Sequence, residues 1–325
     1  MGRGPVLVTG GAGYIGSHAC KALAAAGYDP ATYDNLSRGH RRAVRWGDLE
    51  EGDLLDGARL RAVLRRRRPV AVLHFAAFAY VGESVADPGL YWRNNVAGSL
   101  SLLEAMRDEG VGRIVFSSTC ATYGHPRTTP IGEDHPQLPV NPYGESKLAT
   151  ERMLDGFRQA HGVESIALRY FNAAGCDPDG EVGEDHDPEP HLIPRALMAA
   201  RGDVGALEIY GDDWDTRDGT CVRDYIHVSD LADAHVKALL ALERGSAPRA
   251  CNLGNGRGFS VLEVVEAAAR AAGRPVPHRF APRRAGDPAE LVGGASLARE
   301  ALGWTPSFPD LDAMVGSAWR WLNRR

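Results

Sequence analysis

Tyr143 and Lys147, four residues apart, are the residues best suited by type and spacing to move a proton. Pro142, just before the tyrosine, favours a helix start, so the two side chains should share one helix face. A phenol with an ordinary pKa of about 10 is a poor base near neutral pH, but a neighbouring ammonium lowers that pKa. The hydroxyl of Thr119, at the end of the preceding predicted strand, could join the phenol and a substrate alcohol in a proton relay. Because tyrosine and lysine share many helix faces by chance, the pair needs a context before it indicates catalysis.

A glycine cluster close to the N-terminus supplies that context. Gly10, Gly13 and Gly16 follow a short apolar run, and with Gly11 they satisfy both the G-x-x-G-x-x-G and the G-x-G-x-x-G spacings. Between a strand and a helix, such glycines let backbone N–H groups approach a pyrophosphate. A second predicted strand ends at Asp34, where a carboxylate would bind the adenine-side ribose and repel a 2′-phosphate. The pattern favours NAD over NADP, the alternative being a plain turn and a solvated acid. An oxidised nicotinamide would also add positive charge near the phenol.

Strands and helices alternate through the first half of the chain. An apolar run over 70–77 is typical of a strand buried in a parallel sheet, a helical pattern covers 90–106, and a further strand is predicted over 113–118. This alternation predicts an α/β fold with a doubly wound parallel (Rossmann) sheet, whose ligands lie outside the carboxyl ends of its strands. His74, inside the apolar run, is expected to be structural.

The composition changes after residue 171, where a long acidic loop rich in glycine, proline and histidine begins. A loop of that length is usually functional. We therefore expect an NAD-binding domain over 1–171 and a smaller mixed α/β substrate domain over 172–325, with a strand near 222–228 rejoining the first domain. Within the second part, Arg223 and the stretch 283–287 could hold a diphosphate and ribose hydroxyls, with surface salt bridges as an equally good interpretation.

Composition narrows the class of protein. The 325 residues carry a net charge of −5, which gives no electrostatic reason to expect a nucleic acid partner. No apolar run reaches the length of a membrane span and the first strand begins too early for a signal peptide, so we expect a cytoplasmic protein with no membrane partner. The 5 cysteines form no CxxC pair and should be free thiols. His186 and its acidic neighbours lack regular ligand spacing, so we expect a solvated loop and no metal.

Nearly the whole chain resembles the extended short-chain dehydrogenase/reductase family and, within it, the UDP-hexose 4-epimerases. The similar stretches are 9–18, 34–37, 74–77, 81–84, 143–147, 169–172, 218–220, 222–228 and 281–287. The resemblance implies interconversion of UDP-glucose and UDP-galactose. In that reaction Tyr143 takes the proton of the sugar 4-hydroxyl, hydride moves from C4 to NAD, and the 4-ketose presents its other face before hydride returns. The resemblance also implies tightly bound NAD and a homodimer through the helices from Leu90 and Tyr143.

The same resemblance implies a set of site residues. The implied catalytic residues are Tyr143, Lys147 and Thr119. NAD would contact residues at the strand ends and on the helices that follow them: Gly10, Gly13, Tyr14, Ile15, Gly16, Asp34, Asn35, Leu36, Ser37, Asp53, Leu54, Phe75, Ala76, Ala77, Asn94, Tyr143, Lys147 and Phe171. The UDP-sugar would contact residues from both domains: Thr119, Tyr143, Asn172, His191, Leu192, Tyr210, Arg223, Arg284, Asp287 and Leu291.

The chain departs from the family pattern at several positions. Thr119 stands where many members carry serine, and its hydroxyl can serve the same relay. Ala79 stands where some members have a lysine that touches a cofactor phosphate, and His191 where some have an asparagine beside the nucleotide. Leu291 occupies a gate position that is tyrosine in members restricted to plain hexoses and smaller in members that accept N-acetyl sugars. We therefore expect it to tolerate some 2-acetamido bulk.

Other functions stay open at this point. The substrate could be a UDP-pentose (xylose or arabinose) or a UDP-N-acetylhexosamine. A nucleotide-sugar 4,6-dehydratase shares the fold, NAD and the tyrosine–lysine pair, but it needs Asp-Glu directly after the relay threonine, where this chain has Cys120 and Ala121. A net dehydrogenase would exchange NAD freely. A non-catalytic NAD-binding regulator would have no need of Tyr143 or Lys147.

Overall fold

The computed structural model describes residues 2–284 and 286–324, so the stretch predicted over 283–287 includes one residue, Ala285, outside the described residues. The strands are β1 (Pro5–Thr9), β2 (Asp29–Asp34), β3 (Leu49–Glu51), β4 (Ala71–His74), β5 (Arg113–Thr119), β6 (Glu164–Tyr170), β7 (Asn172–Ala174), β8 (Leu207–Tyr210), β9 (Val222–His227), β10 (Ala250–Leu253), β11 (Gly258–Ser260), β12 (His278–Ala281) and β13 (Glu290–Leu291). The helices are α1 (Tyr14–Ala25), α2 (Gly57–Arg67), α3 (Val81–Ala86), α4 (Pro88–Tyr91), α5 (Gly98–Asp108), α6 (Pro142–His161), α7 (Leu192–Arg201), α8 (Val228–Glu243), α9 (Val261–Ala272), α10 (Ser296–Leu302) and α11 (Leu311–Leu322). A π-helical segment, Trp92–Ala97, joins α4 to α5, and short 3₁₀ turns cover Arg41–Ala43 and Cys120–Thr122.

Within the described ranges, 7 strands form one parallel sheet in the order β10-β6-β5-β4-β1-β2-β3. From β1 the chain moves outward to β2 and β3, then returns to β4 on the other side of β1 and continues to β5 and β6. The winding direction therefore reverses between β1 and β4, which is where ligands bind in open α/β sheets. The predicted doubly wound α/β fold is confirmed.

Apolar side chains fill both faces of this sheet. Val6 and Val8 of β1 belong to the core on the side of α1 and α8, whereas Leu7 between them belongs to the core on the side of α2 and α5. Since successive strand residues point to opposite faces, a strand covered on both sides needs a continuous apolar run. His74 is buried at the end of β4, where its ring nitrogens bond the hydroxyls of Thr9 and Ser99. It is structural, as predicted.

The other strands form two smaller sheets. β7, β11 and β13 all pair with β9, while β8 pairs with β12. Helices α7, α9 and α11 contribute Leu197, Val264 and Met314 to a separate apolar core beside these sheets. The C-terminal helix is therefore a packing helix, and the second part of the chain has the mixed α/β character that was predicted.

The chain returns to the large sheet through a different strand from the predicted one. The strand near 222–228, expected to rejoin the first domain, is β9; it pairs only with strands of the smaller sheet among the described residues, and its Ile226 belongs to the core beside the large sheet. The returning strand is β10, which pairs with β6, and α8 packs against α1. With only 4 residues and a buried polar Asn252, β10 lacks the apolar run that marks β1 and β4.

Local capping residues fix the starts of two helices, and the start of α6 at Pro142 is as predicted. α6 begins at Pro142, and the Oδ1 atom of Asn141 accepts a hydrogen bond from the Gly144 N–H at 2.9 Å. Ser260 and Glu263 form the capping box of α9. All 5 cysteines are buried and free. Among the described residues, no helix combines the length and the apolarity that a bilayer crossing would need.

Candidate active site

The glycine turn lies at the carboxyl end of β1 and leads directly into α1. Gly10 has a φ of 73°, in the left-handed region, and a Cβ there would lie 2.6 Å from the Ala76 amide nitrogen. A Cβ on Gly16 would overlap the Gly10 carbonyl oxygen. Gly13 is the N-cap of α1, and no side chain caps this helix. The turn thus presents uncapped backbone N–H groups at a helix N-terminus, the arrangement that binds a pyrophosphate.

Asp34 ends β2 beside the glycine turn. Its Oδ2 atom accepts a hydrogen bond from the Ala12 N–H at 3.0 Å, and its Oδ1 atom accepts one from the Leu36 N–H at 2.8 Å. Burial raises the pKa of Asp34 above its ordinary value, and these two hydrogen bonds act against that rise. After the neighbouring β3, Asp53 accepts a hydrogen bond from the Asn35 amide at 2.8 Å. A carboxylate therefore stands just after or at the end of each of two neighbouring strands, and both belong to the residues predicted to contact NAD.

Most of the remaining predicted cofactor residues follow the strand ends of the same sheet edge. They are Tyr14, Ile15, Leu36, Ser37, Leu54, Phe75, Ala76 and Ala77. Asn94 lies in the π-helical segment, where its amide donates to the side chain of Asn95 at 2.9 Å. Asn95 was not predicted, yet it is the buried member of the pair and bonds the backbone of Phe78 and the hydroxyl of Ser146. It therefore ties the loop after β4 to α6.

Tyr143, Lys147 and Thr119 meet at the carboxyl end of β5, as the sequence predicts. Thr119 is the last residue of β5, and Tyr143 lies in the first turn of α6, near enough for the Thr119 hydroxyl to act on the pKa of the phenol. Lys147 follows one turn later, with its Nζ atom 5.9 Å from the centre of the Tyr143 ring. That Nζ atom donates to the Ser117 carbonyl oxygen at 2.8 Å. The three predicted catalytic side chains thus form one group.

Burial dominates the protonation of this group. It raises the pKa of Tyr143 to about 12, against the hydrogen bond from Thr119. It lowers the pKa of Lys147 to about 7, against the attraction of Glu151. We expected Lys147 to lower the pKa of the phenol, but burial raises that pKa instead, because water is excluded from both groups. The positive charge of an oxidised nicotinamide remains the other predicted source of that lowering.

Glu151 continues the line of Tyr143 and Lys147 by one more helical turn, and it was not predicted. Its carboxylate pairs with Arg169 of β6, with 2.6 Å between Nη2 and Oε2, and accepts a hydrogen bond from the Ser118 hydroxyl at 2.5 Å. Both charged side chains are buried. The ion pair fixes α6 to the strands that position the catalytic group. Its signal was available in the sequence, since Glu151 lies four residues after Lys147 on the same helix face.

Four residues predicted to hold the substrate converge on β9 and its neighbours. Arg223 and Leu291 stand opposite each other in the β9–β13 pairing. The Nη2 atom of Arg223 lies 3.8 Å from the Oδ1 atom of Asp287. Asn172 of β7 donates to the carbonyl oxygen of Asp224 on β9 at 2.9 Å. The structure therefore gathers an arginine, a carboxylate, an amide and the predicted gate residue around one strand.

Two further contacts lie beside this region: a cation–π contact at the end of β8 and a small apolar cluster next to the end of β5. Tyr210 ends β8, and the guanidinium carbon of Arg284 lies 4.3 Å from the centre of its ring, a cation–π contact. Phe171, which follows β6, belongs to a small apolar cluster with Cys120, and Leu291 packs against that cluster. Cys120 directly follows the relay threonine. The predicted gate residue is therefore joined by packing to the strand end that carries Thr119.

His191, just before Leu192 at the start of α7, belongs to a separate group of four side chains, here called the histidine–glutamate cluster: Glu184, His186, Glu189 and His191. The solvated loop expected here is wrong, because Glu184 is buried and its Oε1 atom lies 2.7 Å from the His191 Nδ1 atom. Although burial acts in the opposite direction, Glu184 and Glu189 raise the pKa of His191 to about 10. The segment has no regular ligand spacing that could have predicted the cluster, because the contacts between these side chains come from the fold of the loop.

Comparison with known proteins places this arrangement in a family. Residues 6–254 match the NAD dependent epimerase/dehydratase family. The UDP-glucose 4-epimerase of Rhizobium meliloti is 52% identical over 325 residues, covering 100% of this chain and 99% of that protein. The crystal structure of UDP-glucose 4-epimerase from Brucella ovis in complex with NAD is 56% identical, covers 98% of both chains and has a TM-score of 0.96. The structure from Bifidobacterium longum in complex with NAD+ and UDP is 39% identical, covers 99% of this chain and 98% of that one, and has a TM-score of 0.92. The chain belongs to the NAD dependent epimerase/dehydratase family.

Proposed function

We propose that the protein interconverts UDP-glucose and UDP-galactose by inversion at C4 through a transient 4-ketose, with NAD held at the glycine turn. The observation that carries this proposal is the grouping of Thr119, Tyr143 and Lys147 at the carboxyl edge of the sheet that bears the glycine turn. The full-length relatives at 52% and 56% identity, both named UDP-glucose 4-epimerase, support this choice of substrate.

The residues at the sheet edge fit NAD. Gly10 and Gly16 have no room for a Cβ atom, so a cradle of backbone faces the uncapped N-terminus of α1. The buried carboxylate of Asp34 suits the hydroxyls of an adenine-side ribose, and its negative charge disfavours a 2′-phosphate. When bound, NAD supplies the hydride acceptor and donor for C4 of the sugar.

The chain itself supplies proton transfer and orientation. Tyr143, as the phenolate, accepts the proton of the sugar 4-hydroxyl, directly or through the hydroxyl of Thr119. In the second half of the reaction the phenol returns that proton to the 4-oxygen of the epimer. Lys147 is held beside the phenol by its hydrogen bond to the Ser117 carbonyl, in a position to orient the cofactor ribose. One acid–base group therefore serves both directions, as a freely reversible epimerisation requires.

We assign the UDP half of the substrate to the residues gathered around β9 and β8. The guanidinium groups of Arg223 and Arg284 suit a diphosphate, and the carboxylate of Asp287 suits ribose hydroxyls. Arg284 is oriented by its stacking on Tyr210. Binding energy concentrated in the nucleotide half leaves the hexose free to turn. The turn presents both faces of C4 to the same hydride donor, which inversion demands.

We also propose that the protein is a homodimer in galactose metabolism, associating through the helices that begin near Leu90 and at Tyr143. Large apolar side chains are exposed on α3 and on the helix that contains the π-helical segment: Val81, Val85, Trp92 and Leu100. Contiguous exposed apolar groups are typical of an interface. Size-exclusion chromatography with light scattering should report a dimer, and a monomeric mass would refute this part of the proposal. The cytoplasmic location expected from the sequence stays a prediction.

The test of the proposed reaction is NMR of the purified protein with UDP-galactose and no added NAD. UDP-glucose should accumulate until the two sugars reach equilibrium. Y143F should abolish the exchange, whereas Y28F is the matched control, because the Tyr28 hydroxyl bonds Glu243 at the end of α8 and lies outside the site. Absence of product even with NAD supplied would refute the proposal. Appearance of a 4-keto-6-deoxy sugar would instead indicate a dehydratase.

A further inference from the structure

The histidine–glutamate cluster has the composition and geometry of a metal site. Its four ligand atoms, two imidazole nitrogens and two carboxylate oxygens, all lie within 4.8 Å of one another. The separations between nitrogen and oxygen atoms run from 2.7 to 3.4 Å. A tetrahedral Zn²⁺ ion with bonds of about 2.0–2.1 Å needs neighbouring ligand atoms about 3.3 Å apart. These separations lie on both sides of that value, so small side-chain rotations would give the spacing that the ion requires.

The hydrogen bonding of the cluster points in the same direction. The side chain of Glu184 is only 6% exposed, yet its Oε1 atom has no hydrogen-bond partner of proper geometry. The Nδ1 atom of His186 is buried and equally unsatisfied. Each atom lies within 3.4 Å of an oppositely charged neighbour, so a shared ion would have to sit at a point between the four side chains. A buried polar atom without a partner is costly, and an ion at that point would satisfy both.

The ligands are also held in place by the surrounding fold. The Trp321 indole donates to the Glu184 carbonyl oxygen at 2.9 Å, and the Glu184 N–H donates to the Cys176 sulfur at 3.5 Å. The ring of His186 is 6.1 Å from that of Tyr14. His191 is fixed as the N-cap of α7, and its side chain is 44% exposed, which gives an ion a path from solvent. The site is thus preorganised and accessible.

We propose that the histidine–glutamate cluster binds a divalent transition-metal ion, with Zn²⁺ as the best match. Imidazole and carboxylate are ligands that Zn²⁺ takes in tetrahedral sites. Binding would release the protons that the two imidazoles hold beside the glutamates, and the remaining two carboxylates and two neutral imidazoles carry a charge of −2, which one divalent cation neutralises. The ion would fasten the loop after β7 to the start of α7, where Leu192 lies. This inference does not depend on the proposed reaction, because its test measures binding and uses no turnover.

The experiment is a Zn²⁺ titration of the full chain, first treated with EDTA and dialysed, in competition with a chromophoric chelator. We expect one equivalent of Zn²⁺ per chain, and Co²⁺ in its place should give the strong visible absorption of a tetrahedral site. E184Q and H186Q, which each remove one ligand, should weaken binding by at least about tenfold. H278Q is the matched control, because His278 lies on β12 outside the cluster. Far-UV circular dichroism checks that each variant folds.

The same titration can overturn the proposal. No Zn²⁺ binding above that of H186Q, or equal weakening by H278Q, would exclude the site. A second acidic cluster, which includes Asp177 and Asp179, lies nearby in the same loop and is paired with Lys21. Binding that is lost in D179N but kept in H186Q would place the ion there and would also refute the inference. If H186Q fails to fold, the near-isosteric E184Q carries the test.

Discussion

Replacing Lys147 by methionine should stabilise the folded protein by an amount that shrinks as the pH rises. The lysine is only 3% exposed, and burial lowers its pKa from the ordinary 10.5 to about 7. Below pH 7 the folded protein must hold the charged lysine in its interior, so the full free-energy cost of burying that charge lowers its stability. Between about pH 7 and 10.5 the unfolded chain binds more protons than the folded one, so wild-type stability rises with pH. Above pH 10.5 the lysine is neutral in both the folded and the unfolded state, so this cost disappears.

The size of the effect follows from the same pKa values. Each pH unit across the interval from about 7 to 10.5 corresponds to 1.36 kcal/mol, which gives roughly 4 to 5 kcal/mol in total. Lys147 is fully buried, so solvent screening does not reduce this figure. The methionine also removes the hydrogen bond to the Ser117 carbonyl, a loss of about 1 kcal/mol that does not vary with pH. The difference in stability between the variant and the wild type should therefore fall by about 4 kcal/mol from about pH 7 to about pH 10.

Urea unfolding of both cofactor-free proteins, followed by tryptophan fluorescence, measures this difference. Comparison of the two proteins at each pH cancels the other groups that titrate. K237M, which removes a lysine from the surface of α8, reports the effect of losing a lysine charge alone. If the stability of K147M and wild type keeps a constant separation from neutral to alkaline pH, the burial argument for this lysine is refuted. K147M should also be inactive, so the catalytic lysine is maintained at a cost in stability.

Four further outcomes are expected. Y143F removes the proton-transferring hydroxyl and should lower kcat by about 10²- to 10⁴-fold in the NMR assay; unchanged turnover would exclude the phenol as the base. D34N removes the charge that repels a 2′-phosphate, so the affinity for NADP relative to NAD should rise in fluorescence titrations, and a constant ratio would contradict the assignment. L291Y narrows the gate and should reduce turnover of UDP-N-acetylglucosamine relative to UDP-glucose by about tenfold; equal loss on both substrates would argue against a gate. E151Q breaks the buried pair with Arg169 and should lower the free energy of unfolding by about 3–5 kcal/mol, whereas a smaller loss in denaturant titrations would mean that the pair is poorly desolvated.

The parts of the molecule that could be predicted from the sequence are those built from consecutive residues. The glycine turn, the helix after it and Asp34 lie within one strand–helix–strand unit, so their spacing alone predicts where they meet. Pro142 and Asn141 start α6 by local capping chemistry, which places Tyr143 and Lys147 on one face. For such short segments the geometry of the backbone allows only a few local conformations, and the residue types select one of them.

Long-range packing settled what these local patterns left open. β10 completes the large sheet although its 4 residues carry no distinctive pattern, because a sheet edge accepts any strand that can supply hydrogen bonds and cover the core. Glu151 pairs with Arg169 through the approach of a helix to a strand, and the histidine–glutamate cluster exists only because one loop folds back on itself. The amino-acid sequence therefore determined the glycine turn and the start of α6 with its tyrosine–lysine pair. Burial, which shifts the pKa values of Tyr143 and Lys147 and brings distant charges together, was decided by the tertiary structure, since water is excluded only when separate elements pack.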